Sequence, residues 1–471
     1  VNTEGGMRPL LLLPEMLTFG GGLMVLVAGS FLPRQRQWWA RIAAATTLVG
    51  VIVIAAIAIA APDQTAFEGA FVLDTATAVA RVSAAVGALV VLAIAGDEIQ
   101  GAARESDTYA LVLFSTTGIL VLAGTSDLLV LAAGFLLASV PLYGLIGLLR
   151  SAPAAEATMK TYLIGALFSI TLLLGISVLY GLSGVTRYDQ LAAGLRGAPG
   201  AAVATGVVAV LAGLMFEAGG VPAHFWVPDA AEAANGVAAV FLTTVPKIGA
   251  LVALYRLATG LPHSVAWPLL IAVFALMSMT LGNLAAYGQR DPRRLLGWST
   301  VSQVGYLLVP VAAAGRSQLA LASLLFYLVA YTITNSAAFA VSTALPDRRD
   351  LNTYQGAARA QPWLAGALVV ALLGLVGTPP TAIFIGKLTT ATAAWDGGQA
   401  WLAVAVFANS LLSLFYYLRW IVPLFQKADG AEDFAPKAWS TGTAVILGGL
   451  SLGLGIAAGP LWDVLAAAPT R

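Results

Sequence analysis

Apolar residues fill this chain in long runs, separated by short joints rich in polar residues, glycine and proline. A bilayer core is crossed by an α-helix of about 20 apolar residues. By that measure the pattern predicts about 14 spans. They fall at 10–32, 41–61, 73–95, 108–124, 127–149, 159–181, 200–234, 237–258, 266–287, 295–314, 317–342, 363–393, 399–425 and 440–461. The expected fold class is an all-α polytopic membrane protein. The first run carries no small-residue cleavage signal behind it and is read as a retained helix.

Two runs are interrupted. The seventh contains Glu217-Ala-Gly-Gly-Val-Pro222 and the twelfth contains Gly377-Thr-Pro379-Pro380. Pro222, Pro379 and Pro380 are expected to shape these breaks, because proline removes a backbone donor and clashes with the preceding turn. Irregular backbone at membrane depth is tolerated only where protein or a water-filled cavity covers it. The two breaks lie five spans apart, so they traverse the membrane in opposite directions. Corresponding interrupted segments in inverted halves point to a transport site.

Basic residues set the orientation. Alternate loops hold Arg34, Arg36, Arg41, Arg104, Arg150, Lys160, Arg290, Arg293, Arg294, Arg348, Arg349, Arg359, Lys427 and Lys437. The opposite loops hold only Arg8, Arg187, Arg196, Arg256, Arg316 and Arg471. The positive-inside rule puts the first set in the cytoplasm and both termini on the outer side.

Composition narrows the chemistry. Of 471 residues, 59% are hydrophobic and 10% charged, well below the ~25% of soluble domains. A formal net charge of +1 offers no basic face for nucleic acid, so none is expected as a partner. With no cysteine, disulfides and cysteine-ligated iron–sulfur centres are excluded. The two histidines, His224 and His263, do not suggest a histidine-rich metal site. No glycine-rich nucleotide fingerprint occurs. The small residues in the spans suit close helix packing instead.

Ionisable residues within spans are few: Glu15, Arg81, Glu217, Lys247, Lys387 and, near a span end, Arg419. Such residues mark ion and proton pathways. Glu217, Lys247 and Lys387 are the candidates for proton transfer. Glu217 and Lys247 sit on successive spans, where they read either as a relay or as a static pair clamping two helices. Glu15 is close enough to a span end to reach the interface. Arg81, seven residues after Asp74, reads equally as structural. His224, beside the first break, reads as a water-linked proton relay or as a donor to freed carbonyls. His263 falls in an outer loop. Two polar clusters, 299–303 with Gln303 and 331–336, read as helix glue or as supports for water chains.

Several stretches together resemble the antiporter-like membrane subunits of respiratory complex I. They are TSDLLVLAAGFLLASVPLYGL (125–145), AAEATMKTYLIGAL (154–167), VPAHFWVPDAAEA (221–233), DPRRLLGWSTVSQVGYLL (291–308), GLVGTPPTAIFIGKL (374–388) and ANSLLSLFYYLRWIVPLF (408–425). LLFYLVAYTITNSAAFAV (324–341) is most similar to the branch of that family called subunit N. The resemblance covers nearly the whole chain, including LLLPEM near its start. It implies 14 helices, with broken helices 7 and 12 and two inverted five-helix repeats. The implied divisions are 1–106 for helices 1–3, 107–259 for the first repeat, 260–427 for the second and 428–471 for helix 14.

The resemblance also implies a function. Buried charges would move protons in an inner (plasma) membrane while a partner arm oxidises NADH and reduces quinone. The chain itself would bind no cofactor; NADH, FMN, iron–sulfur clusters and quinone would belong to partner subunits. Its partners would be other membrane subunits and the bilayer. The alternatives are a subunit of a multi-subunit cation/proton antiporter, which shares the motifs, or a non-pumping structural paralogue. Lys247 and Lys387 match family lysines of helices 8 and 12. Five positions depart from the family. Leu136 replaces a glutamate of helix 5 and Glu217 a lysine of helix 7. Asn235 and Val237 replace prolines. Gln303 stands where many relatives carry histidine.

Overall fold

The computed structural model describes residues 7–262, 265–427 and 434–467. His263, Arg471 and both chain ends therefore lie outside the described residues. Helices in order are α1 (Leu13–Phe31), α2 (Trp38–Ile59), α3 (Thr75–Glu98), α4 (Glu105–Gly124), α5 (Leu128–Gly147), α6 (Ala152–Ser183), α7 (Tyr188–Gly194), α8 (Gly200–Ala218), α9 (Trp226–Ala233) and α10 (Gly236–Gly260). They continue with α11 (Trp267–Tyr287), α12 (Pro292–Ala312), α13 (Ala320–Ala344), α14 (Ala357–Ala360), α15 (Pro362–Val376), α16 (Ala382–Asp396), α17 (Ala400–Phe425), α18 (Ala438–Ile456) and α19 (Ala458–Ala466). Among the described residues, 13 helices are long and apolar enough to cross a membrane, and the short apolar α15 begins a further crossing. The seventh crossing is α8 followed by α9, and the twelfth is α15 followed by α16.

Local signals explain where elements start and stop. Ser151 caps α6 by accepting from the Ala154 N–H, which starts that helix earlier than the apolar run does. The last predicted span instead divides at Ala457 into α18 and α19, where Pro460 supplies no N–H to the second piece. One small sheet, outside the all-α expectation, joins α2 to α3. In it β1 (Gln64–Ala66) pairs antiparallel with β2 (Phe71–Leu73), Gln64 opposite Leu73.

The centre of the bundle is α10, α12 and α13, buried along almost their whole length. Around them the other helices expose broad apolar faces, as membrane surroundings require. Close backbone approach recurs: a Cβ added to Gly118 would lie 2.1 Å from the Ala138 nitrogen of α5.

Glu15 does not reach the interface as expected. It is 4% exposed and faces α3, where Arg81 donates from Nε to Oε1 and from Nη2 to Oε2, both at 2.8 Å. A charge held in hydrocarbon must be paired, and α1 and α3 supply the two halves. Asp74 caps α3 through the Thr77 N–H and pairs with Arg256 of α10 at 2.6 Å.

Candidate functional site

The two breaks are built alike. Each first half-helix ends on a left-handed glycine, Gly219 (φ 79°) or Gly377 (φ 88°), and each break contains a cis X-Pro bond, Val221-Pro222 or Pro379-Pro380. A lysine packs against each glycine. A Cβ on Gly219 would stand 3.4 Å from Lys247 Nζ, and one on Gly377 would stand 2.8 Å from Lys387 Cδ. Breaking a helix frees carbonyls that hydrocarbon cannot satisfy. In the seventh crossing the Trp226 indole donates to the Phe216 carbonyl at 3.2 Å. In the twelfth, Lys387 Nζ reaches back to the carbonyls of Leu375 at 3.1 Å and Val376 at 2.8 Å.

Lys247 is fully buried on α10, directly after Pro246. Pro246 lacks the N–H that would bond the Leu242 carbonyl four residues back. Lys247 Nζ takes that carbonyl instead, at 2.7 Å. Each ammonium also faces an aromatic ring: Lys247 lies 5.1 Å from the centre of Trp226, and Lys387 lies 3.9 Å from that of Tyr306. Such contacts stabilise a cation in a dry site.

Glu217 is buried at the end of α8. Ser139 of α5 donates to its Oε2 at 2.5 Å, while Oε1 has no hydrogen-bond partner among the described residues. The expected Glu217–Lys247 clamp is not formed. Among the described residues no ion pair or hydrogen bond joins them, because Lys247 is committed to Leu242 and Glu217 to Ser139. His224 is buried in the first break, its ring 4.2 Å from Phe225 and 5.6 Å from Trp298. Among the described residues neither ring nitrogen makes a hydrogen bond of good geometry, and the Pro222 backbone lies beside the ring.

The two polar clusters form rungs between the lysines. Tyr331 of α13 donates to the Thr243 carbonyl of α10 at 2.7 Å and lies 3.2 Å from Thr300 Oγ1 of α12. Asn335 Nδ2 donates to Thr243 Oγ1 at 3.2 Å. One turn along, Tyr327 donates to Gln303 Oε1 at 2.7 Å, and Gln303 Nε2 donates to the Leu375 carbonyl at 2.9 Å, the carbonyl that Lys387 also uses. Buried polar groups thus stand between the lysines in two hydrogen-bonded sets, one around Thr243 on α10 and one that reaches the carbonyl used by Lys387 of α16. Among the described residues no hydrogen bond joins the two sets or ties Lys247 to the first.

Sequence reading singled out Glu217, Lys247, Lys387 and Gln303 but missed the roles of Ser139, Trp226, Tyr306, Tyr327 and Glu98. Two signals were available: the proline just before Lys247, and the tryptophan inside the interrupted seventh run. The others depend on contacts between distant helices.

A polar cavity of ≈ 440 Å³ opens beside α9, lined among others by Glu98, Lys160, Asp229, Glu232, Arg293 and Arg294. Its charges are paired: Arg294 with Asp229 at 2.9 Å and Glu232 at 2.6 Å, and Lys160 with Asp229 at 3.2 Å. Glu98 caps α10 from the end of α3, accepting from the N–H groups of Gly236 and Val237 at 2.8 Å each. Among the described residues no group of three or more His, Cys, Asp or Glu is arranged to hold a metal ion.

Residues 125–413 match the transmembrane family described as NADH:quinone oxidoreductase/Mrp antiporter. The chain belongs to this family. NADH-quinone oxidoreductase subunit N of Mycobacterium sp. (strain JLS) is 66% identical over 468 residues, covering 99% of this chain and 100% of that protein. A chain of respiratory complex I from Thermus thermophilus is 30% identical with a TM-score of 0.82, covering 97% of this chain and 100% of that one. The Mrp complex from Dietzia sp. DQ12-45-1b holds a chain that is 23% identical with a TM-score of 0.80, covering 96% of each, and shares the fold.

Against the NADH:quinone oxidoreductase/Mrp antiporter family pattern, the departures acquire places. Leu136 is 41% exposed on α5, so an acid there would stand on the outer face of the chain. Glu217 lies inside it. Val237 has the N–H that Glu98 accepts, which a proline would lack, and Asn235 provides a side-chain cap to the Ala238 N–H at 2.8 Å.

Proposed function

We propose that this chain is the proton-translocating membrane subunit of an NADH–quinone oxidoreductase of the complex I type, corresponding to subunit N. The observation that carries the reading is the buried polar groups between Lys247 and Lys387. Hydroxyls and amides grouped inside a helical bundle, with water spanning the gaps between the groups, offer protons a path that hydrocarbon does not. Glu217, Lys247 and Lys387 are the proton-transfer residues, His224 and Gln303 support the relay, and Pro222, Pro379 and Pro380 shape the breaks. Residues 107–259 and 260–427 form the two inverted five-helix units, flanked by 1–106 and 428–471.

In this reading the chain assembles with other membrane subunits in an inner (plasma) membrane, its Lys/Arg-rich loops in the cytoplasm and both termini outside. Partner subunits hold NADH, FMN, iron–sulfur clusters and quinone, and this chain performs no redox step. Lys387→Ala tests it in inverted vesicles. Proton pumping driven by NADH oxidation is expected to fall while the redox arm still oxidises NADH with an artificial acceptor. Undiminished pumping by an assembled complex overturns the role of Lys387.

The fold shared with an Mrp complex favours a second reading, a subunit of a cation/proton antiporter. Sodium-dependent proton flux without NADH distinguishes it. Leu136 in place of the family acid favours a non-pumping structural subunit, for which Glu217→Gln, Lys247→Ala and Lys387→Ala would all leave pumping intact.

A further inference from the structure

We propose that a cleft at the Lys/Arg-rich end of α17 binds an anionic phospholipid, its phosphate between Arg290 and Arg419 and an acyl chain along Phe415, Leu418 and Val422. The cleft measures ≈ 640 Å³ and is lined by Phe415, Leu418, Arg419 and Val422 of α17 together with Arg290 and Asp350. Its floor is helical. Phe415, Leu418, Arg419 and Val422 fall at i, i+3, i+4 and i+7 and so share one face of α17. Phe415 and Val422 are exposed. Arg419 lies six residues before the end of α17, about 9 Å along the axis, near the depth where headgroups meet acyl chains.

The charges call for an anion. Among the described residues neither Arg290 nor Arg419 joins an ion pair. The neighbouring Arg293, Arg294 and Arg349 are instead engaged by Glu98, Asp229, Glu232 and Asp291. Arg419 Nη1 contacts the Tyr287 carbonyl, and among the described residues the rest of its guanidinium makes no hydrogen bond. The Arg290 carbonyl accepts from the Leu351 N–H at 3.0 Å, which anchors the backbone at that position. One acid, Asp350, lines the cleft, and its Oδ1 is turned onto the Asn352 N–H at 2.9 Å. Two guanidiniums thus outweigh one carboxylate. Forked guanidiniums suit phosphate, and a basic pocket between helices above an apolar groove is the form that binds anionic headgroups.

The full chain in nanodiscs of phosphatidylcholine, with and without phosphatidylglycerol, tests this by native mass spectrometry and thermal unfolding. Wild type is expected to retain phosphatidylglycerol through delipidation and to unfold at a higher temperature in its presence. Arg290→Gln with Arg419→Gln should weaken that retention by on the order of tenfold and leave phosphatidylcholine retention unchanged. Among the described residues the Arg290 side chain makes no hydrogen bond, so Arg290→Gln alone keeps the test open, with a loss of roughly fivefold, if the double variant does not fold. The proposal is overturned by equal retention in the variants or by equal retention of the zwitterionic lipid. It is also overturned if inorganic phosphate protects as well as the lipid does, or if crosslinking in the intact complex places a neighbouring subunit in the cleft.

Discussion

Lys247 donates its ammonium to the Leu242 carbonyl of its own helix, at 2.7 Å, because Pro246 cannot. The proline thus makes an acceptor for the cation at the point where the first break meets the central helix. Pro246→Ala restores the backbone donor and sets it in competition with Lys247. The expected outcome is an α10 stabilised by as much as ~3 kcal/mol, with slower proton pumping because the lysine has lost its seat. Chemical denaturation of the purified chain and dye quenching in vesicles read the two effects separately. Pumping at the wild-type rate would remove the carbonyl from the account.

Gln303 fixes the set nearer Lys387 by accepting from Tyr327 and donating to Leu375. Gln303→Leu leaves the buried Tyr327 phenol without a partner, at a cost of about 1–3 kcal/mol, while the Leu375 carbonyl keeps Lys387. Pumping is expected to fall, and Gln303→His, the residue of many relatives, to retain more of it. Equal pumping by Gln303→Leu and wild type would reduce Gln303 to packing.

The Glu15–Arg81 pair should behave as a structural ion pair. Glu15→Ala strands a guanidinium in apolar surroundings, with an expected loss of ~3–5 kcal/mol. Glu15→Leu with Arg81→Met removes both charges and is expected to unfold close to wild type and to pump normally. Denaturant midpoints of the single and double variants decide it; a double variant as unstable as the single contradicts the argument.

Asp74 links stability to pH. Burial pushes its carboxyl up, but the Arg256 charge and hydrogen bond, with the Thr77 N–H and hydroxyl, hold it below the ordinary value. A carboxylate whose folded pKa is depressed contributes stability that is present above its unfolded pKa of about 3.9 and lost as pH falls through the lower folded value. Thermal unfolding in detergent should therefore decline on acidification toward pH ~3 in wild type more than in Asp74→Asn. Parallel pH profiles of the two proteins would show that the pair carries no linkage.

Glu217→Lys restores the family residue but places a second buried cation near Lys247 without an acid for either. It is expected to destabilise the chain and abolish pumping. Adding Leu136→Glu should recover neither, because position 136 faces outward from α5 while Glu217 is buried; pumping assays on the single and double variants check it. Recovery by the double variant would bring an acid at position 136 within reach of the first break.

The crossings were legible in the sequence because each is set by one local quantity, the length of an apolar run. The breaks were legible because glycine and proline act where they stand. The lysines stood out as rare charges in hydrocarbon. What stands between them did not. Tyr331 and Thr243 meet across 88 residues, and Gln303 and Leu375 across 72. No period or motif distinguishes a hydroxyl that bonds a neighbouring helix from one that bonds its own, as Thr332 does with Leu328. The Glu217–Lys247 clamp failed for a related reason: neighbouring spans bring charges near each other, but the closer donors and acceptors, Ser139 and the Leu242 carbonyl, take them first.

Lys387 meets two carbonyls and one aromatic face. An ammonium has three N–H bonds and a neutral amine has two. Both forms can serve the Leu375 and Val376 carbonyls in full; only the third position changes, from a hydrogen to a lone pair. The side chain can therefore load and unload charge without rebuilding the helix end that holds it, so the skeleton of the second half can stay still while its electrostatics alternate.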